Sequence, residues 1–296
     1  MNATARPSPA TVAPAGDPAG GRRIDFVIAG VQKAGTTTLD ALLRLHPEVS
    51  LPYWKELHFF DRDARFPAGR DPDWADYHRH WDWSAEGVRR GEVTPTYLGH
   101  PHAMTRLARY SPDLRIVCIL RNPVSRAYSA WNHMVQQGRE RKSFHAALLA
   151  EDAKMSGAAD PAAGPVFDYL RLSLYATQLE ALWRVFPRER TLVLRLESLS
   201  REPKRTMDTL TDFLGIARFD FGPAERKHAR LKLGDMHPET AAWLVGRLEP
   251  ELSGLERMLG WDCSDWRKPK GSKGLWAVGE TIRRAALPFS FLKPPM

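Results

Sequence analysis

Short runs of consecutive apolar residues alternate along the chain with segments in which apolar residues recur at helical spacing. The clearest runs are residues 24–30, 114–120 and 191–196, and such runs are typical of strands buried on both faces of a parallel sheet. Two shorter extended segments are predicted at residues 49–51 and 92–94. Because helical segments follow the strands, we expect an α/β fold in which helices flank a parallel sheet. Helices are predicted from Thr36 and over residues 72–83, 102–110, 124–137, 168–186, 203–214 and 238–259.

The two ends of the chain differ in composition from the region between them. Residues 1–22 are rich in Ala, Pro, Gly, Thr and Ser, which predicts a disordered tail, and they lack the apolar core of a secretory signal. We therefore expect one domain over residues 23–266 in a cytoplasmic protein. Residues 267–296 mix Lys and Arg with apolar residues, which predicts a basic tail that could touch a membrane surface weakly. Residues 151–165, rich in Ala, Gly and Asp, indicate a mobile loop.

Composition excludes several classes of protein. The 296 residues are 43% hydrophobic and 26% charged, as in globular proteins, and two cysteines cannot build a disulfide framework. No Cys/His cluster suggests zinc, and the apolar runs are far shorter than the roughly 20 residues of a membrane-spanning helix. The formal net charge of +8 indicates an anionic partner, for which nucleic acid, phosphate esters, acidic glycans and membrane surfaces are candidates.

The segment between the first predicted strand and helix has the composition of a phosphate-binding loop. Backbone N–H groups in such a turn point at one spot, and the helix N-terminus adds partial positive charge. Glycine lets the backbone approach an anion closely, lysine supplies a full charge, and threonine hydroxyls supply hydrogen-bond donors. The predicted phosphate contacts are Lys33, Ala34, Gly35, Thr36, Thr37 and Thr38.

A nucleoside kinase or triphosphatase is one interpretation of this loop. Gly30 and Gly35 have the required spacing, but Thr36 follows where that motif has lysine, and the lysine lies inside the loop at Lys33. The second strong strand is followed by Arg121, where such an enzyme needs a carboxylate for magnesium. These departures favour a nucleotide held by protein cations. A non-catalytic module that binds a nucleotide or nucleic acid is a further interpretation, since it needs only the basic surface.

Arg121 and Ser129 form a second candidate phosphate site. Arg121 follows a buried strand, and Ser129 lies eight residues later, on the helix that begins near Pro123. Arginine suits a phosphate because its planar guanidinium donates two parallel hydrogen bonds. Arg126, between them, is interpreted either as a surface salt bridge or as a further ligand.

These segments resemble the sulfotransferases that use 3′-phosphoadenosine 5′-phosphosulfate (PAPS). Residues 33–38 resemble their 5′-phosphosulfate loop, and residues 121–129 resemble their 3′-phosphate motif, in which the arginine and the serine grip the phosphate. Residues 55–61 (Lys-Glu-Leu-His-Phe-Phe-Asp) resemble a segment of the heparan-sulfate-type carbohydrate branch, and residues 91–97 and 195–199 match further family segments. The resemblance implies a P-loop-like sulfotransferase fold and sulfuryl transfer from PAPS, as co-substrate, without a metal.

The resemblance also implies roles for individual residues. Glu56 matches the family's base, which takes the proton of the acceptor, and His58 and Asp61 match the residues that assist it. Lys33 would hold the 5′-phosphosulfate and offset the charge on the leaving oxygen. If the segment is extended, Glu56 and His58 share a face. Glu56 would be the better base if partial burial raised its pKa.

Two departures from the family pattern bear on the ligands. Heparan-type enzymes have a lysine where this chain has Val93, which argues against a heparan-like polyanion as acceptor. In the altered Lys-Gly-Arg segment of the family, Lys232 remains as a predicted contact to the 3′-phosphate, but Asp235 replaces the arginine. With ten tryptophans in the chain, the favoured acceptor is a carbohydrate or a glycosylated small molecule, and no nucleic-acid partner is expected.

Overall fold

A five-stranded parallel sheet lies at the centre of the fold in the computed structural model, which describes residues 21–158, 167–222 and 236–268. The strands are β1 (Phe26–Gly30), β2 (Val49–Ser50), β3 (Arg89–Val93), β4 (Arg115–Leu120) and β5 (Thr191–Arg195). Their order in the sheet is β2-β3-β1-β4-β5. The pairs β1–β3, β1–β4, β2–β3 and β4–β5 are all parallel. This confirms the α/β fold predicted from the sequence.

Helices connect the strands and cover both faces of the sheet. In the described residues they are α1 (Thr36–Leu43), α2 (Trp74–His78), α3 (Ala103–Tyr110), α4 (Pro123–Gln136), α5 (Phe144–Met155), α6 (Tyr175–Trp183), α7 (Leu196–Arg201), α8 (Pro203–Leu214) and α9 (Pro238–Leu259). Short 3₁₀ helices lie at Asp63–Arg65, Arg171–Ser173 and Arg188–Arg190.

The alternation of side chains along β1 explains how the sheet binds a helical layer on each face. Val27 and Ala29 belong to one apolar cluster, which includes residues of α2, α3 and α6. Phe26 and Ile28 belong to another, which includes residues of α1 and α8. Successive side chains of a strand point to opposite faces, so a strand covered on both sides must be apolar throughout. A third cluster joins α4, α5 and α9.

The helix predicted over residues 168–186 is shorter in the structure. α6 begins only at Tyr175, after a 3₁₀ turn. The buried guanidinium of Arg126 contacts the carbonyl oxygen of Tyr169 and the hydroxyl of Ser173 (2.8 Å). An α-helix would pair that carbonyl with the N–H of Ser173, so the inserted arginine accounts for the late start of the helix.

Local composition gives a wrong prediction at residues 151–155, which belong to α5 and not to a loop. Glu151 on this helix is buried, and its carboxylate accepts the backbone N–H groups of Leu170 (2.6 Å) and Arg171 (2.8 Å). Those partners are remote in sequence, so composition does not reveal them. Residues 159–166 of the predicted loop lie outside the described residues. The helix predicted over residues 72–83 is also shorter, since α2 covers only its first half.

The predicted tails lie mostly outside the described residues. Arg267, the first residue of the predicted basic tail, pairs with Glu249 (2.7 Å) and Glu256 (2.6 Å) of α9 and is therefore docked on the domain. The expected membrane contact finds no support within residues 21–158, 167–222 and 236–268. No helix in these ranges combines the length and the apolar character needed to cross a membrane.

Candidate functional site

The carboxyl ends of β3, β1 and β4 meet at one edge of the sheet. Val31, directly after β1, donates its N–H to the carbonyl oxygen of Ile119 in β4 (3.0 Å). Thr94, directly after β3, donates its N–H to the carbonyl oxygen of Ile28 in β1 (3.1 Å). Crevices at the carboxyl ends of parallel strands are the usual ligand sites of open α/β sheets. The loop after β1, the segment after β3 and Arg121 after β4 therefore surround one candidate site.

The predicted phosphate loop joins β1 to α1 through two residues with left-handed backbone. The φ angle is 70° at Lys33 and 96° at Gly35, and Ala34 donates its N–H to the carbonyl oxygen of Val31 (3.2 Å). α1 begins at Thr36 with no side-chain cap and no acidic residue in its first turn. No carboxylate of that turn therefore offsets the positive end of the helix, which suits anion binding.

Gly35 and the three threonines after it differ in the space around them. A Cβ atom on Gly35 would lie 2.6 Å from Cδ1 of Leu196, so the leucine side chain would have to move, and the φ angle of 96° favours glycine in any case. Thr36 is buried, Thr37 is exposed and Thr38 is half-buried. Thr37 and Thr38 are thus the two threonines that solvent reaches.

Arg121 is held against the phosphate loop. Its Nη1 donates to the carbonyl oxygen of Lys33 (3.0 Å), and its own carbonyl oxygen accepts the hydroxyl of Tyr175 (3.0 Å). Burial lowers the pKa of the guanidinium from its usual value, but arginine remains charged at physiological pH. One hydrogen bond therefore joins the two predicted phosphate-binding segments.

The other residues of the second predicted phosphate motif have different environments. Asn122 caps α4, and Ser129 lies half-buried on that helix. Arg126 is fully buried and donates to the hydroxyl of Ser173, so of its two interpretations the surface salt bridge is wrong. Lys232 lies outside the described residues, and its contact to the 3′-phosphate stays a prediction.

Residues 55–61 form a turn and not an extended segment. The φ angle is 64° at Glu56 and 50° at His58, so the expectation of a shared strand face is wrong. The two side chains meet nevertheless, with 3.6 Å between His58 Nε2 and Glu56 Oε2. Nζ of Lys55 contacts the other carboxylate oxygen. The N–H of Glu56 donates to the carbonyl oxygen of Val93 (3.1 Å), which anchors the turn at the end of β3.

His58 lies between two carboxylates, and this position determines its charge. Nδ1 is 2.8 Å from Oδ2 of Asp61, and this hydrogen bond, followed by the ion pair with Glu56, raises the pKa of His58 to about 9. Burial acts to raise the pKa of Glu56, but the contacts with His58 and Lys55 outweigh it and lower the pKa to about 2. His58 is therefore protonated and Glu56 ionised at neutral pH.

Thr96 completes this cluster. Its hydroxyl donates to Oδ2 of Asp61 (2.5 Å), the oxygen that also meets His58. Burial acts to raise the pKa of Asp61, but the hydrogen bonds from His58 and Thr96 outweigh it and lower the pKa. Sequence reasoning assigned no role to Thr96, and the only signal for it was its place in the segment of residues 91–97.

Glu92 is a further carboxylate near this edge, fully buried at the end of β3. Its oxygens accept hydrogen bonds from the hydroxyls of Tyr77 (2.7 Å), Thr94 (2.8 Å) and Tyr97 (3.2 Å). Burial has the largest effect and raises the pKa of Glu92 to about 7, although these three hydrogen bonds act to lower it. Because it is buried, Glu92 cannot contact an acceptor.

Comparison with curated proteins gives sulfotransferases as relatives. Heparan sulfate glucosamine 3-O-sulfotransferase 6 of Homo sapiens is 32% identical over 192 residues, which is 65% of this chain and 52% of that protein. Heparan sulfate glucosamine 3-O-sulfotransferase 3A1 of Mus musculus is 29% identical over 199 residues, or 65% of this chain and 46% of that protein. The chain thus spans about half the length of the curated relatives it matches.

A solved structure and a family model cover more of the chain. A sulfotransferase from Alicyclobacillus acidocaldarius, 30% identical, superposes with a TM-score of 0.68 over 83% of this chain and 100% of that chain. The model of the sulfotransferase domain matches residues 23–232, which include the phosphate loop, the turn that presents Glu56, and Arg121. The sheet, the loop at its edge and the matched sequence therefore agree, and the chain belongs to the sulfotransferase domain family.

Proposed function

We propose that this chain transfers a sulfuryl group from PAPS to a hydroxyl or an amine of an acceptor. The observation that carries the proposal is the meeting of the phosphate loop, Arg121 and Glu56 at one edge of the sheet. The chemistry of the donors fits an anionic nucleotide, because Lys33 and Arg121 are cations and Thr37 and Ser129 carry hydroxyls. In this assignment the loop holds the 5′-phosphosulfate, and Arg121 with Ser129 holds the 3′-phosphate.

Glu56 is the residue that we assign as the base. His58 carries a proton at neutral pH because its pKa is about 9. Of the two carboxylates beside it, Glu56 has a side chain that is 35% exposed, whereas that of Asp61 is 7% exposed. Glu56 is therefore the member of this group that an acceptor can reach. The role of His58 is then to orient Glu56, while Asp61 fixes His58.

The proposed transfer exchanges one bond at sulfur for another. The acceptor oxygen bonds to the sulfur of PAPS while the bond from sulfur to the bridging phosphate oxygen breaks, and that oxygen keeps the electron pair. The acceptor proton passes to an oxygen of Glu56. The acceptor hydroxyl becomes more acidic as its oxygen bonds to sulfur, so a carboxylate of low pKa can take the proton late in the step. Lys33 offsets the charge on the leaving oxygen, which departs with 3′-phosphoadenosine 5′-phosphate (PAP).

An exposed aromatic pair beside Glu56 supports a carbohydrate or a glycosylated small molecule as the acceptor. Tyr53 is 82% exposed and Trp54 is 67% exposed, and their rings meet edge to face with centroids 4.7 Å apart. Arg44 donates to the carbonyl oxygen of Pro52 (2.8 Å), and the N–H of Glu56 is bonded to β3, so this segment is held at both ends. Such amphipathic aromatic surfaces suit the apolar face of a sugar ring.

Substitution Glu56→Gln tests the proposal. Glutamine has nearly the same size but takes no proton at neutral pH, so turnover should fall about 10²–10⁴-fold while the dissociation constant for PAP is unchanged. Turnover is measured as PAP released from PAPS with 4-nitrophenyl β-glucoside or a desulfated heparan oligosaccharide, and binding by calorimetry. Glu180→Gln, at an exposed glutamate of α6, is the control and should behave as wild type.

Two results would contradict the proposal. Turnover near the wild-type rate in Glu56→Gln would place the base elsewhere. Stabilisation of the wild type by ATP with magnesium, but not by PAP, would favour the kinase or triphosphatase interpretation, which the family match does not favour. The cytoplasmic location stays a prediction from the sequence.

A further inference from the structure

The turn that presents Glu56 contains two residues in an unfavourable backbone conformation. Glu56 and His58 both have positive φ angles, of 64° and 50°. The left-handed region is costly for residues with a Cβ atom, and such residues persist only where surrounding contacts hold them. The structure must therefore contain groups that hold this turn in place.

The hydroxyl of Tyr97 is one such group. Its oxygen accepts the backbone N–H of Phe59 (3.0 Å) and lies 3.4 Å from the N–H of Phe60. These two residues directly follow His58 and precede Asp61. Tyr97 itself is completely buried in the apolar cluster beside the sheet, so its oxygen is a fixed point in the core.

Glu92 in turn determines the direction of the Tyr97 hydroxyl. Tyr97 donates its proton to the Glu92 carboxylate at 3.2 Å from either oxygen, which leaves its lone pairs for the N–H groups of Phe59 and Phe60. Tyr77 and Thr94 donate to the same carboxylate and hold it in turn. When Glu92 is ionised, which a pKa of about 7 favours above neutral pH, its carboxylate carries no proton and accepts all three bonds.

We propose that Glu92 and Tyr97 are positioning residues for the sulfuryl transfer, because they hold the strained turn that carries Glu56 and His58. Neither touches the acceptor or the nucleotide in this proposal. They act from the end of β3, through the backbone of residues 59 and 60, on the orientation of the base. The inference rests on the proposed function, since it concerns the rate of that reaction.

Comparison of Tyr97→Phe with Tyr110→Phe tests this inference. Tyr110 is a matched control, because it lies buried in the same apolar cluster and its hydroxyl also accepts a backbone N–H, from Ile24 (2.9 Å), and bonds to a side chain, that of His78 (2.9 Å). Both variants lose one hydroxyl, and their melting temperatures should fall by similar amounts. Only Tyr97→Phe releases the turn.

In Tyr97→Phe we expect kcat to fall by about 10–100-fold, the scale for a small misplacement of a catalytic group, with KM for PAPS nearly unchanged. Amide hydrogen exchange should speed up at Phe59 and Phe60 in this variant and not in Tyr110→Phe. The exchange measurement requires no acceptor, so it reports on the turn even if the proposed reaction is wrong.

The outcomes separate the two proposals. A wild-type protein without PAPS-dependent transfer contradicts the proposed function, whereas equal kcat and equal exchange in the two tyrosine variants contradict the positioning role. If Tyr97→Phe does not fold, Tyr77→Phe takes its place, because it removes only a donor to Glu92. A lower kcat in Tyr77→Phe than in Tyr110→Phe then supports the inference, and an equal kcat overturns it.

Discussion

Replacement of Asp61 by asparagine should lower the pKa of His58 and destabilise the fold near neutral pH. Asp61 contributes the largest effect that raises the pKa of His58, through the hydrogen bond to Nδ1 at 2.8 Å. Asparagine keeps an oxygen for Thr96 but loses the negative charge. Since an opposite charge at this distance shifts a pKa by about 1–3, the pKa of His58 should fall from about 9 to between about 6 and 8.

The same change should cost stability in a defined pH window. A rise of the pKa of His58 from 6.5 to about 9 on folding corresponds to about 2.5 kcal/mol at pH 7. Because the side chain is 32% exposed, solvent screening reduces this to about 1–2 kcal/mol. The raised pKa of His58 contributes its full amount to the free energy of unfolding below pH 6.5, and this contribution is lost as the pH rises through 9. The stability difference between wild type and Asp61→Asn should therefore shrink over that interval.

Histidine-ring NMR titration checks the pKa, with His58→Gln identifying the resonance among the ten histidines. Denaturant unfolding from pH 6 to pH 10 checks the stability. Asp63→Asn is the control, because Asp63 is an exposed carboxylate that pairs with Arg106 and lies near His100. The reasoning fails if wild-type His58 titrates near 6.5, or if Asp61→Asn leaves its pKa near 9.

Three further predictions concern the nucleotide site and the chain end. Arg121→Ala should weaken PAP binding by about 1.5–3 kcal/mol, the scale of a hydrogen bond to a charged group, and an unchanged dissociation constant would remove Arg121 from the site. Gly35→Ala should destabilise the fold by at least about 1 kcal/mol, because a Cβ would lie 2.6 Å from Leu196 at a φ angle of 96°; an unaltered melting curve would contradict this. Deletion of residues 1–21 should leave melting temperature and activity unaltered, since their composition predicts a disordered tail; a loss of either would show that they dock.

The sequence alone predicts those elements whose signal is contained in consecutive residues. The runs at residues 24–30 and 114–120 correspond to β1 and β4, because strands covered on both faces must be apolar throughout. The run at residues 191–196 corresponds to β5, but the prediction that this strand is buried is wrong, since β5 lies at the edge of the sheet and is mostly half-buried. α9 begins and ends as predicted, since Gly260 at a φ angle of 66° supplies a local stop signal. α5 and the late start of α6 escape prediction, because Glu151 and Arg126 reach partners elsewhere in the chain.

Some features of the candidate site are likewise visible in the sequence, and others require the tertiary structure. The sequence by itself indicates Lys33 and Arg121 as candidates, since a charged residue next to a strand end or a glycine loop is visible in the residue order, and the family resemblance adds Glu56. Only the tertiary structure shows that His58 is a cation between two carboxylates and that Glu92 is buried. Hydrogen bonds between segments far apart in sequence, such as those that link the Glu56 turn to β3, decide backbone conformation, burial and charge, and residue order does not specify these contacts.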